Sequence, residues 1–598
     1  MSLTTQASIS RRRMLSLTGA TSLGLAGAAL IGCSSNRAAS PGAGTAVIAT
    51  AASGTEKPRS GGIVKYPEQK NPDTLDPYRT GGGLIDAYTS LVYSRLFTFE
   101  PGNGEPAQGK LVGDLVKSYE QPDPLTLVLK LNTAAKFDQK APLNGRQVNA
   151  KDVVESWKRY AKEDTYRTQL ANSANPDAPI ESMEVVDDAT VRVKYKFADA
   201  TAIYIMAGRI WIQPVEGMGG GIDLTKEPRG SGPFLFESYS NSVSLNYKKN
   251  PNWFGGEGQR PYLDGVTIPI IPEQAQAEAQ FRAKNLHFSA VSRQNIPIFA
   301  KELKGTEVAV GGPAGRSPIL VYSYLPGQPW HDVRVRRAVS MMVNRDVLTE
   351  VIQNPAPLAA LGVKLTTRWN APIAGGYGAY WLDPKSSKFG PSAEYLKLNV
   401  AEAKKMLTAA GFTAAKPLEF DNVYPGIQWG TDWPQRVETL QSMFKDAGVK
   451  MNGVSVDYVT EYTPKYMRAK AAFKGKTTEA AVHFMPGGSQ VDPLPFYFQF
   501  LSAKGSSSMV GANFPELDAM MVKQRSVTNF DERVEGIHGM NRWVTDNMVV
   551  LPVGPDTEQV DLVWSNLRGP QQYRTWTDTG KVGTASNMNL FPLYWFKE

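Results

Sequence analysis

Cysteine is almost absent: the 598 residues contain one, Cys33. An internal disulfide and a thiolate metal cluster are therefore excluded. Histidine is scarce as well. His287, His331, His483 and His538 lie far apart, and no H-E-x-x-H run occurs, so no metal centre is written in the linear sequence. Charge is sparse, with Asp, Glu, Lys and Arg making up 20% of the chain. Basic residues exceed acidic ones by only 65 to 57, and three of the arginines fall within residues 1–32, which hold no acid. With no long basic block, nucleic acid is not expected as a partner. No Walker loop, no G-x-S-x-G elbow and no G-x-G-x-x-G after a strand pattern is present. No pair of carboxylates is singled out by spacing. No catalytic residue, metal or cofactor is expected; a hydrolase site assembled only by the fold stays open as an alternative.

The N-terminus carries what the rest lacks. Arg11, Arg12 and Arg13 precede a mildly apolar run over residues 14–32, rich in Ala, Gly and Leu. A charged segment before such a run is an export-signal pattern, and the paired arginines resemble the signal that exports folded proteins. Leu30-Ile31-Gly32-Cys33 resembles a bacterial lipobox. Cys33 would then be the lipid-bearing first residue of the mature protein, tethered by buried acyl methylenes worth about 0.8 kcal/mol each. An uncleaved transmembrane anchor is the alternative. Residues 33–59, rich in Ala, Gly, Ser, Thr and Pro, read as a flexible leash. The body beyond is expected to be soluble, in the periplasm or on the outer face of the cytoplasmic membrane.

Hydrophobic residues amount to 42%, enough for large cores, and strand and helix signals alternate through the body. Leu125, Leu127, Leu129 and Leu131 alternate with polar positions, as do Val191, Val193, Tyr195 and Phe197, and Val243, Leu245 and Tyr247; each set predicts a half-buried strand. Asn149 with Asp152 and Asn399 with Glu402 predict capped helix starts. Val153, Trp157 and Tyr160 mark one helical stripe. Val437, Leu440, Phe444 and Ala447 mark another, opened by Pro434 and closed by Gly448.

An ordered series of segments carries a family resemblance: YTSLVYSRLF (88–97), LVGDLVKSY (111–119), AKFDQKAPLNGRQVNAKDVVESWKR (135–159), RGSGPFLFESYS (229–240), LNYKKNPNWF (245–254) and HDVRVRRAVSMMVNRDVL (331–348). The series resembles the family 5 extracellular solute-binding proteins, which serve ABC importers of peptides, nickel and other solutes. The resemblance implies an α/β fold of the periplasmic-binding-protein-like type II class. It implies two lobes joined by crossing strands, with a smaller extra domain. Lobe I would use residues 60–92, 227–325 and 552–598, the extra domain 93–226, and lobe II 326–551. It also implies a monomer that holds a small solute, an oligopeptide or an oligosaccharide, and hands it to the permease subunits of an ABC importer. The segment 331–348 would belong to the frame, not the site.

Site residues follow from the same resemblance and from aromatic loops. His483, Phe484, Ser489 and Asp492 lie in a stretch that ends in Asp-Pro. Peptide-binding members carry an aspartate three residues before that Asp-Pro, which holds the peptide amino group; here the position is Ser489, which has no charge to pair with an ammonium. That departure leaves a neutral oligosaccharide open. Tyr424, Trp429 and Trp433 sit in a Pro- and Gly-containing loop, and Trp330 follows Pro329. Aromatic faces of this kind suit apolar side chains and sugar rings.

Overall fold

The computed structural model describes residues 47–48, 57–79, 83–99, 111–256, 260–288, 290–313, 318–426, 432–467, 481–484, 492–502, 513–569 and 588–597. Cys33 and the whole N-terminal pattern lie outside them. Among the described residues, no helix is long and apolar enough to cross a membrane.

An antiparallel four-stranded sheet forms first, in the order Val116–Asp123, Thr126–Leu131, Thr190–Tyr195, Ile180–Asp187. Leu127, Leu129 and Leu131 face its core, as do Val191, Val193 and Tyr195. The predicted period holds inside the strands and fails at their ends. Leu125 is 44% exposed because it lies in the turn before Thr126, its N–H donated to Asp123 Oδ1. The helix Ala150–Glu163 packs nearby. Its capping box is formed: Asn149 Oδ1 accepts from Asp152 N, and Asp152 Oδ2 accepts from Asn149 N. Two orphan donors of the first turn are satisfied in this way. Val153, Trp157 and Tyr160 are buried together along one face.

Two further sheets draw on both ends of the chain. One orders Ile63–Lys65, Gly265–Pro269, Ser244–Lys249 and Phe234–Ser240. Its strand Ser244–Lys249 begins one residue after Val243, which sits in the turn and is 61% exposed. The segment Arg229–Pro233 leads into Phe234, and neither Gly230 nor Gly232 has room for a side chain against the Val92 carbonyl. The other sheet pairs Thr306–Pro313 antiparallel with Glu558–Trp564.

A five-stranded sheet follows in the order Lys450–Ser455, Glu419–Tyr424, Ala481–Phe484, Ile319–Tyr322, Val550–Pro552. The helices Val400–Ala409 and Trp433–Asp446 start where the sequence pattern placed them. Val437, Leu440, Phe444 and Ala447 bury the predicted stripe, and Gly448 follows with a left-handed φ of 87°. Arg336 of the 331–348 segment is buried and donates to the carbonyls of Asn547, Trp330 and His331, so it braces the frame. The architecture is the type II periplasmic-binding-protein-like fold with two α/β lobes.

The chain passes between the last two sheets twice. It leaves the strand ending at Pro313 and enters Ile319–Tyr322; it then leaves Val550–Pro552 and enters Glu558–Trp564. Each outgoing strand pairs antiparallel with its returning partner, and Val553 N donates to the Pro318 carbonyl at 2.9 Å, so the two crossings are neighbours where they meet the five-stranded sheet. They are braced as well. Arg293 donates to the carbonyls of Gln353 and Glu558 and to Thr557 Oγ1, and Arg368 pairs with Glu558 at 3.0 Å.

Candidate functional site

Three strands of the five-stranded sheet are parallel: Glu419–Tyr424 with Lys450–Ser455 on one side and with Ala481–Phe484 on the other. Their carboxyl ends, Tyr424, Ser455 and Phe484, therefore lie along one edge. Ile319 pairs with Phe484 and with Pro552, so both crossings leave from that same edge. In open α/β sheets the crevice beyond the carboxyl ends of the strands is where ligands bind. Here that crevice adjoins the passage to the other lobe, which makes this edge the candidate site.

The sequence-nominated residues divide across it. Tyr424 ends its strand at the edge, half-buried, its carbonyl accepting from Val456 N at 3.0 Å. His483 pairs with Leu320 in register, and Phe484 is the last residue of its strand; the structure describes their backbone and not their side chains. Trp429 and Ser489 lie outside the described residues. Trp433 opens its helix and is buried, with the Arg436 guanidinium 5.3 Å from its ring centroid. Arg436 also donates to the Val553 carbonyl and to Asp432 Oδ2. Arg436 thus ties the helix start to a crossing, and Trp433, nominated as a solute contact, is packed into the core instead.

Two further nominations are corrected by packing. Trp330 is fully buried, stacked on Tyr322 at 4.6 Å and edge-on to Phe420 at 5.1 Å; that core position leaves no face for a solute. The buried Asp492 carboxylate is already engaged. It accepts from Leu494 N at 2.8 Å and from Tyr380 Oη at 3.4 Å, and it is ion-paired with Arg533. Burial works against the Arg533 charge, and Asp492 more than offsets this, so the guanidinium pKa stands above its ordinary value. Arg533 also donates to the carbonyls of Gln524 and Val527. Asp492 thus ties its own turn to the helix that carries Arg533. Neither Arg533 nor Tyr380 was nominated: they are 41 and 112 residues away in sequence, and no local pattern links them.

The site carries no preformed metal centre among the described residues: no three His, Cys, Asp or Glu side chains converge there. What the edge offers is the half-buried ring of Tyr424 and strand-end backbone beside two crossings, an arrangement that suits reversible capture of a solute.

Comparison with known proteins agrees with this geometry. Residues 110–508 match the family model described as "Bacterial extracellular solute-binding proteins, family 5 Middle". The heme-binding protein A of Haemophilus influenzae is 24% identical over 475 residues, spanning 76% of this chain and 80% of that one. A di/tripeptide-binding protein of Pseudomonas aeruginosa is 24% identical over 311 residues, 49% of this chain and 56% of the relative. Among solved structures, the periplasmic binding protein DppA of Helicobacter pylori in complex with a peptide superposes with a TM-score of 0.70 at 17% identity, covering 90% of this chain and 99% of that one.

Proposed function

Because the chain belongs to the family 5 bacterial extracellular solute-binding proteins, we propose that it captures a short peptide between its lobes and delivers it to an ABC importer. The observation that carries this reading is the coincidence of two features: the carboxyl edge of the parallel strands and the departure point of both crossings. A solute seated there touches one lobe directly. It gains the second set of contacts only when the crossings bend, so binding energy favours the closed form. No bond is made or broken. The proposed lobe I is formed by the sheets drawing on residues 63–65, 234–269, 306–313 and 558–564. Lobe II is proposed to hold the five-stranded sheet, and the extra domain the antiparallel sheet of residues 116–195. Tyr424, Trp429, His483, Phe484 and Ser489 are the proposed solute contacts.

The proposal extends to the membrane. Cys33 would carry the lipid after export by a twin-arginine route, the leash would hold a monomer near its permease, and the protein would work in the periplasm or on the outer face of the cytoplasmic membrane. A second reading, an oligosaccharide or other neutral solute, is favoured by Ser489, which offers hydroxyl chemistry where peptide binders hold an acid.

The test is mass spectrometry of material released from gently purified protein, followed by thermal unfolding with peptides, oligosaccharides and nickel added separately. A solute at a hundred times its Kd adds about 2.7 kcal/mol of stability. A clear rise in Tm with peptides is expected. A rise with oligosaccharides alone supports the second reading. No rise with any class, and no co-purified ligand, overturns both.

A further inference from the structure

A cavity of about 110 Å³ lies between residues 168–205 of the smaller antiparallel unit and residues 495–525. None of the residues nominated from sequence lines it. Its walls alternate apolar groups such as Ile205, Phe498 and Val522 with Asn175, Thr201 and Ser502. It has room for a solute of several heavy atoms, not only for a single water.

Its chemistry centres on Arg525, the last residue of the helix Pro515–Arg525. The guanidinium carbon is 3.9 Å from the Phe498 ring centroid and 5.0 Å from that of Phe197. Two aromatic rings thus hold the side chain through cation–π contact, leaving hydrogen-bonding edges for another partner. Among the described residues the guanidinium makes no hydrogen bond or ion pair. The backbone is fixed as well, since Arg525 O accepts from Ala200 N at 2.8 Å. Burial lowers the Arg525 pKa, and the nearby Asp199 and Asp177 oppose that shift.

The acids around it are placed differently. Asp199 spends one oxygen on three local donors, Thr201 N, Thr201 Oγ1 and Ala202 N, at 2.6–3.0 Å. Asp177 and Asp518 complete the lining. One preorganised guanidinium and several carboxylates in one small cavity suit a ligand that carries both charges. A purely anionic ligand would meet three acids; a purely cationic one would leave Arg525 without a partner.

We propose that this cavity, lined by none of the residues proposed to contact the transported solute, is a second binding site for a small zwitterion of free-amino-acid size. Its carboxylate docks on the edge of Arg525 in the two-bond fork geometry, and its ammonium faces Asp177 and Asp199. The apolar walls enclose a short side chain.

The test is calorimetric titration of the full chain with the common L-amino acids one at a time, then with alaninamide and with acetate. At least one free amino acid is expected to bind. Its amide, lacking the carboxylate, and acetate, lacking the ammonium, are each expected to bind about tenfold more weakly or worse, a difference of about 1.4 kcal/mol. Arg525→Met keeps a stem between the rings and removes the fork; it should lose at least the same factor. Val522 is 58% exposed on the cavity rim, so Val522→Trp tests obstruction without disturbing a core. Loss of binding in both variants, with the melting temperature of the solute-free protein retained, supports the site. No binding of any amino acid to the folded chain overturns it. So does binding that survives Val522→Trp unchanged, since the ligand is then elsewhere. If Arg525→Met does not fold, Val522→Trp decides alone.

Discussion

His287 accepts the backbone N–H of Lys65 at its Nδ1, 2.8 Å away, and its ring packs 4.8 Å from that of Phe596. Burial, and then the nearby Lys65 charge, lower its pKa to about 4. An unfolded histidine titrates near pH 6.5. Between those values the unfolded chain binds a proton that the folded chain refuses, so stability is complete above about pH 6.5 and is lost as pH falls toward 4. The loss expected from this one residue by pH 4 is about 3 kcal/mol. His287→Asn can keep an acceptor for Lys65 N and cannot titrate. Melting curves from pH 7 to 4 should show a steeper acid decline in the natural protein than in the variant; parallel curves would refute the assignment. In the sequence His483 stood out for the stretch around it, and nothing singled out His287. Neutrality here is set by a strand more than 200 residues upstream. Asp492 illustrates the same limit: its Asp-Pro context was legible, while the guanidinium that neutralises it belongs to a distant helix.

Elements were more legible than single contacts. Capping pairs, helical stripes and two-residue alternation depend on neighbours in sequence, so the helices opened by Asn149, Asn399 and Pro434 appear where expected. The misreadings fall at strand ends, where Leu125 and Val243 extend an apolar alternation into turns. The crossings had no local signature of their own. Their closeness is recorded at Gly554, where a Cβ would lie 2.3 Å from Pro318 Cδ and 2.8 Å from Pro318 N. Backbone meets ring there with no space for a methyl group. Arg345, buried and with its pKa pushed down to about 10 by that burial, donates to the carbonyls of Pro552, Leu396 and Ser340. Arg436 holds Val553 alongside. Gly554→Ala is expected to destabilise the protein by about 1–3 kcal/mol through overpacking and to weaken solute binding because the crossings must separate. Urea unfolding and solute titration of the variant check both; a variant with natural stability and affinity would refute the tight contact of Gly554 with Pro318 as a constraint on the crossings.

At the scale of the molecule, a solute that bridges the lobes should compact them. X-ray scattering is expected to show a radius of gyration lower by roughly a few per cent on adding a solute identified by thermal unfolding. An unchanged radius alongside tight binding would mean capture without closure. The order of motifs in the sequence was sufficient to indicate the family and its two-lobe plan. It could not indicate which edge of which sheet faces the gap, because strand order is fixed by pairings between residues hundreds of positions apart.

The strand Glu558–Trp564 completes a sheet whose partner, Thr306–Pro313, precedes it by some 250 positions. During synthesis, therefore, the five-stranded sheet between them has all its strands available while its neighbour still waits for the tail of the chain. Completion of the earlier-encoded sheet therefore waits until residues 558–564 have been made, and a product cut short before them would leave the Thr306–Pro313 edge bare and prone to association.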